Sequence, residues 1–194
     1  MMSILQSIIS RFDTTAFFRQ FLYDPENPLL FNNGFFVYFF FLFITLFYVL
    51  REKPTARKYV FTFFSLYFFY KASGVFVLLV IFSGIFNFVL SNVIYRLREQ
   101  SSRTLALVLS IVVNLGVLFY FKYTNFFISV TNEIFKTGFN PLHILLPIGI
   151  SFYTFENLSY TIDVYRRQFA PAKYFVDYLL FLAFFPKLMM GPIV

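Results

Sequence analysis

Uncharged apolar runs alternate along this chain with short clusters of basic residues. Gly34–Leu50, Val75–Tyr95 and Leu105–Phe121 contain no charged side chain. Each approaches or reaches the ~20 residues that a helix needs to cross a bilayer. The run Tyr59–Tyr70 is shorter and stops at Lys71, whose stem can snorkel and lend length to a crossing. Ala72-Ser73-Gly74 predicts a tight turn between this run and the next. Tyr123–Asn140 is more polar, with Glu133, Lys136 and a turn signal over Gly138–Pro141, and predicts a loop with a short surface helix. A fifth span is expected from about Leu142 to Val164, with Pro147 in its first turn, where a missing N–H costs nothing. A sixth segment starts near Tyr174 and is broken by Pro186, Lys187, Gly191 and Pro192.

The N-terminal residues follow a different pattern. Ile4, Leu5, Ile8, Ile9 and Phe12, continued by Phe17, Phe18, Phe21 and Leu22, form a helical stripe. Arg11 and Asp13 interrupt it and no small-residue cleavage site follows, so it does not read as a cleaved signal peptide. A helix lying in the membrane interface and one packed on the rest of the protein both fit. Asp24-Pro25-Glu26-Asn27-Pro28 breaks it. The expected architecture is all-α: a polytopic transmembrane helical bundle of about six membrane segments plus an N-terminal interfacial helix. Residues 1–28 form the interfacial helix and linker, and 29–194 the transmembrane domain.

Composition agrees. The 194 residues include 34 Phe and 14 Tyr, only 13% are charged, and the mean hydropathy is +0.73. Soluble domains carry roughly 25% charged residues. The net charge of +7 does not point to nucleic acid, because the basic residues sit between the apolar runs. Ten of them fall in Arg51–Lys58, Arg96–Arg103 and Arg166–Lys173, against five at Arg11, Arg19, Lys71, Lys122 and Lys136. The positive-inside bias places the first set in the cytoplasm and the N-terminus outside, in a multi-pass membrane protein. With no Cys and one His, neither a disulfide framework nor an ordinary zinc site is available.

Candidate chemistry concentrates in Leu145–Arg166. Gly149, Tyr153, Glu156, Tyr160 and Asp163 recur every three or four residues and share one side of a helix, while Ile148, Phe152, Phe155 and Ile162 dominate the rest. A charge at membrane depth costs about 2.5–3.5 kcal/mol on insertion scales, so Glu156 and Asp163 must face protein or water and find partners. For Asp163 the favoured reading is a structural ion pair with Arg166 or Arg167. For Glu156 a packing hydrogen bond and a polar passage stand level. The irregular stretch around Lys187 suggests a re-entrant segment beside a cavity, with a plain kinked helix as the alternative. Glu156, Tyr160, Asp163, Arg166 and Lys187 are thus candidates for lining a tunnel or fixing the packing. His143, ahead of the fifth span, is expected to be an interfacial residue, and Ser151 lacks the setting of a nucleophile.

The strings LLPIGISFYTFENLSYTIDVYR at Leu145–Arg166 and FFPKLMMGPIV at Phe184–Val194 resemble the N-terminal signature of the membrane-bound O-acyltransferase family. The closest branch is the bacterial alginate O-acetylase type, related to the D-alanyl-transfer protein of teichoic acid synthesis. Tyr120–Phe127 and Ser65–Tyr70 resemble that branch too, so the similarity runs from about residue 30 to the C-terminus. The resemblance implies a many-helix fold around a funnel and an acyl donor, acetyl-CoA or an acyl-carrier species, on the cytoplasmic side. It also implies a polysaccharide acceptor, or a protein that relays the acyl group, outside. No bound cofactor is implied. The family's catalytic His lies in a Trp-His-Gly context downstream, and this chain has no Trp. No catalytic residue is carried over, and the chain is expected to be inactive alone. Two readings remain: the N-terminal membrane portion of an O-acyltransferase, or a non-catalytic scaffold or partner subunit that keeps the family's entry region.

Overall fold

A computed structural model describes residues 22–25, 28 and 34–190. The expected N-terminal interfacial helix, most of the linker after it and Gly191–Val194 lie outside the described residues. Among those described the chain is entirely helical, in the order α1 (Gly34–Val49), α2 (Pro54–Ser73), a 3-10 turn (Gly74–Phe76), α3 (Val77–Arg96), α4 (Gln100–Phe135), α5 (Ile150–Tyr165), α6 (Phe175–Ala183) and α7 (Phe185–Met190). Two helical stretches are long and apolar enough to cross a membrane, Pro54–Arg96 and Gln100–Phe135. The first is α2 and α3 joined at a sharp turn. Gly74 makes that turn with φ 61°, and a Cβ there would meet the Tyr23 ring at 2.7 Å. Pro54 opens α2 from its first turn, which lengthens the run expected at Tyr59–Tyr70 to 20 residues.

Three expectations are corrected. First, the fourth helix does not stop near Phe121: α4 runs for 36 residues, about 54 Å at 1.5 Å per residue, and ends at Lys136 with φ 51°. No Gly or Pro interrupts it between Gly116 and Gly138, and its polar residues have partners that favour continuation. Asn125 Nδ2 donates to the Leu142 carbonyl at 2.8 Å while Leu142 N–H donates to Asn125 Oδ1 at 2.9 Å. Asn132 holds Phe139 by the same two bonds, at 2.8 and 3.0 Å. Seven residues apart, the two amides lie on one face of α4 and fasten the returning chain along it.

Second, α5 begins at Ile150, not near Leu142, so Pro147 precedes the helix instead of opening it. Gly149, left-handed at φ 73°, sets the entry angle, and Ile148 N–H is spent on Ser73 Oγ at 3.2 Å. Third, the break in the last segment falls at Phe184, before Pro186; Pro186 then sits in the first turn of α7, where it is tolerated.

The helices bury two clusters. Phe39 and Phe43 of α1, Phe61, Phe64 and Phe68 of α2, and Phe185 of α7 form an aromatic wedge, with Phe43 against Phe61 at 4.7 Å and Phe185 edge-on to Phe43 at 5.0 Å. The second cluster joins α2 to α6 through Phe69, Val80, Leu118, Tyr153, Tyr160, Val164, Tyr178 and Leu182.

A polar seam runs through this second cluster. Asn87 of α3 and Asn114 of α4 exchange amide hydrogen bonds at 3.1 and 2.8 Å, and Ser110 Oγ donates to Asn87 Oδ1 at 2.9 Å. Ser91 and Thr161 hydroxyls meet at 3.2 Å across α3 and α5. Apolar surface drives no association in lipid, so such contacts and close packing fix which helices pair.

Candidate functional site

The candidate site is assembled on α5 and walled by α6 and α7. Small polar residues spaced three and four apart, Thr154, Asn157 and Thr161, let α5 pack closely on α3 and α4 and turn its acidic face toward α6. Asn157 fixes the register: its Nδ2 donates to Ser83 Oγ of α3 at 2.7 Å, and the Tyr178 hydroxyl of α6 donates to its Oδ1. The Tyr178 ring then lies 4.6 Å from that of Tyr160, whose hydroxyl accepts the Ala172 N–H at 2.7 Å. These contacts fasten the loop between α5 and α6 to both helices.

Beside them lies an open cavity of about 400 Å³, lined by Ser159, Tyr160, Asp163, Phe169, Asp177 and Phe181 among others. Asp177 is paired with Lys58 of α2 at 2.8 Å. Asp163 is not paired as expected. The ion pairs among the described residues are Arg51–Glu52, Lys58–Asp177 and Lys187–Glu156. The physical reason for Arg167 is that it turns left-handed at φ 59° just past the end of α5, off the helical position that would face Asp163; Arg166, the C-cap, keeps helical geometry but forms no ion pair with Asp163. Arg166 is exposed and the Asp163 carboxylate faces the cavity.

Glu156, one to two turns deeper along α5, binds Lys187 of α7 at 2.5 Å, and the same ammonium lies 4.3 Å from the Phe181 ring centroid. The structure therefore gathers Glu156, Tyr160, Asp163 and Lys187 on one flank and leaves Arg166 at its margin. His143 is elsewhere, exposed in the segment before α5 and at least about 20 Å from the Asp163 end of that helix.

Several contributors carried no obvious mark in the sequence. Asn157, Tyr178 and Asp177 matter through partners more than twenty residues away. Arg103, counted only as a topological charge, is buried: it donates to the Tyr165 carbonyl and lies 5.0 Å from the Tyr165 ring, capping the end of α5. Its place opposite an α5 terminus leaves no trace in local spacing.

The arrangement offers carboxylates and phenols as acceptors and donors for hydroxyl, amine or amide groups. No group of three or more His, Cys, Asp or Glu able to hold a metal occurs among the described residues. No protein-family model matches the chain, and no solved structure does. Among curated proteins, it is 45% identical to the "Probable alginate O-acetylase AlgI" of Pseudomonas aeruginosa over 59% of the chain and 24% of that protein. The counterpart of the same name from Azotobacter vinelandii is 49% identical over 50% of the chain and 20% of its own length.

The chain is a homologue of the alginate O-acetylases. This bears out the resemblance to the alginate O-acetylase branch of the membrane-bound O-acyltransferases. The acetylase homologue is also 30% identical to the peptidoglycan O-acetyltransferase of Helicobacter pylori, over 86% of the chain and 37% of that protein. It thus spans between about a fifth and two fifths of these relatives' lengths.

Proposed function

We propose that the chain supplies the N-terminal membrane portion of an O-acyltransferase that moves an acetyl group to hydroxyls of an envelope polysaccharide. The observation that carries this is its similarity to acetylases named for two different polysaccharides, alginate and peptidoglycan. In this reading the chain crosses the inner membrane about six times, with the N-terminus outside, the donor inside, and the acceptor or an acyl-relay partner outside. The two long apolar stretches and the basic clusters at Arg51–Lys58, Arg96–Arg103 and Arg166–Lys173 support that placement.

Within it, Glu156, Tyr160, Asp163 and Lys187 form one wall of the polar passage. The cavity walls suit a hydroxyl or an acyl end better than a polyphosphate, because Asp163 carries no neutralising cation and would repel one. The phosphates of a CoA-type donor then stay outside this cavity.

The test is a strain from which the gene is deleted, with acetate released by mild alkali from each purified envelope polysaccharide as the readout. Loss of ester-linked acetate from one polysaccharide, restored by the wild-type gene and at least tenfold less by Glu156→Gln at equal membrane abundance, is expected. Unchanged acetate in every polysaccharide of the deletion strain would overturn the reading.

A further inference from the structure

A second cavity, of about 340 Å³, opens at the far end of α3 and is lined by Phe88, Val89, Asn92, Val93, Arg96 and Lys173. Its chemistry differs from that of the acidic cavity. Arg96 and Lys173 bring two cations to its rim, and neither has a carboxylate at ion-pair distance among the described residues. Asn92 spends one amide hydrogen on the Phe88 carbonyl at 2.8 Å and keeps the other. The floor is apolar: the Phe88 ring packs edge-on against Phe175 at 5.6 Å. Ile85, Val89 and Val93, four residues apart and 46%, 53% and 41% exposed, continue the apolar surface down α3 away from Arg96.

Two cations without a carboxylate partner, Lys173 resting 5.3 Å from the Tyr174 ring centroid, and an amide donor above an apolar track match one ligand shape, an anionic head on a hydrocarbon tail. We propose that this groove is a binding site for an anionic phospholipid of the cytoplasmic leaflet, with the phosphate between Arg96 and Lys173 and an acyl chain along Val93, Val89 and Ile85. Basic recesses between helices on that side are where such headgroups gain most, because each cation adds its attraction to the anionic head close to the membrane surface. The site rests on α3 crossing the membrane with Arg96 inside, and is independent of acetyl transfer. It ties α3 to the loop before α6, which forms the rim of the candidate passage.

The chain has no Trp, so Ile85→Trp, a turn below the cavity and outside its lining, gives a single Trp that is excited selectively at the red edge of absorption, beyond the 14 Tyr. The 194-residue chain carrying it is reconstituted in vesicles containing equal fractions of brominated phosphatidylglycerol or brominated phosphatidylcholine. Quenching by the anionic lipid is expected to exceed that by the zwitterionic lipid about tenfold in apparent affinity. The preference should vanish in Arg96→Gln/Lys173→Gln, survive in Arg96→Lys, and survive in the same-side control Lys53→Gln/Arg57→Gln. Equal quenching by both lipids, or a preference retained by the Arg96/Lys173 double variant, would overturn the site. Loss of the preference on adding millimolar pyrophosphate at constant ionic strength would reassign the groove to a soluble phosphate ester. Absence of quenching by either lipid would remove α3 from the membrane, and the placement would fail with the site.

Discussion

Lys187 reaches Glu156 across 31 residues of sequence, with Nζ 2.5 Å from Oε1 and 4.3 Å from the Phe181 ring centroid. Its α7 stem and the α5 acid are thereby held together beside the cavity. Removing one partner from a fully buried pair costs about 3–5 kcal/mol, because the survivor is left charged and alone. Here the Lys187 side chain is 39% exposed and that of Glu156 16%, so screening lowers the cost of Lys187→Met or Glu156→Gln to roughly 1–2 kcal/mol. The double variant should recover most of the loss. Melting temperatures of the four proteins in one detergent measure the coupling, and additive single effects would dismiss the pair as a stabilising contact.

Two buried tyrosines of the same cluster should respond in opposite ways to loss of the hydroxyl. Tyr178 donates to Asn157, whereas the Tyr153 hydroxyl has no hydrogen-bond partner among the described residues although its side chain is only 1% exposed. An orphaned buried polar group costs about 1–3 kcal/mol, so Tyr153→Phe should be neutral or stabilising. Tyr178→Phe should destabilise by about 1 kcal/mol, because it also strands the Asn157 carbonyl oxygen. Chemical denaturation of both variants in the same micelle checks the sign. A Tyr153→Phe loss as large as that of Tyr178→Phe would mean that Tyr153 has a partner in the intact membrane protein.

The helices bounded by charge clusters are legible in the amino-acid pattern alone. Gly34–Leu50 corresponds to α1 almost residue for residue, because the apolar run ends at Arg51 and nothing else competes. The acidic side of α5 is legible too, since Tyr153, Glu156, Tyr160 and Asp163 keep helical spacing and none of them takes the exposed position that Phe155 does. Other features are hidden for identifiable reasons. The extension of α4 is polar enough to pass for a loop, and only the Asn125 and Asn132 bonds to a distant segment show why it stays helical. The start of α5 depends on a left-handed Gly149, and a Pro two residues earlier points equally well to a helix start. Lys187, Lys58 and Tyr178 find their partners through tertiary packing, which local periodicity does not encode.

The Asn125 and Asn132 latch gives a separable prediction. Each amide replaces two backbone partners for the chain at Leu142 and Phe139, and Leu carries the same bulk without either bond. Asn125→Leu should cost about 1–2 kcal/mol locally and speed amide exchange at Leu142 without affecting Asn87 or Asn114. Asn125→Leu/Asn132→Leu should make the segment between Phe139 and Leu142 accessible to proteolysis while α4 stays intact. Hydrogen exchange by mass spectrometry on the two variants reads both effects. Protection of that segment in the double variant would show that contacts other than the amides hold it.

Topology supplies the last prediction, and the structure sharpens where to place the probes. The basic asymmetry predicts Arg51–Lys58 and Arg96–Arg103 in the cytoplasm and the turn after α4 outside. Ser73 in the turn after α2 is a poor reporter, because it is buried and its Oγ accepts the Ile148 N–H. Asn140 is exposed in the returning segment, and Thr55 and Ser101 are exposed at the starts of α2 and α4. With no native Cys, single substitutions Thr55→Cys, Ser101→Cys and Asn140→Cys each place one thiol in the chain. An impermeant maleimide added to intact cells should label the Cys at position 140 and spare those at 55 and 101 until the membrane is opened. Reversed labelling would invert the protein and move the Asp163 cavity, the Lys58–Asp177 pair and the Arg96 groove to the outer face together, because all three lie at the same end of the helices. Labelling of all three positions in intact cells would instead deny that α2–α3 and α4 cross the membrane as separate passes.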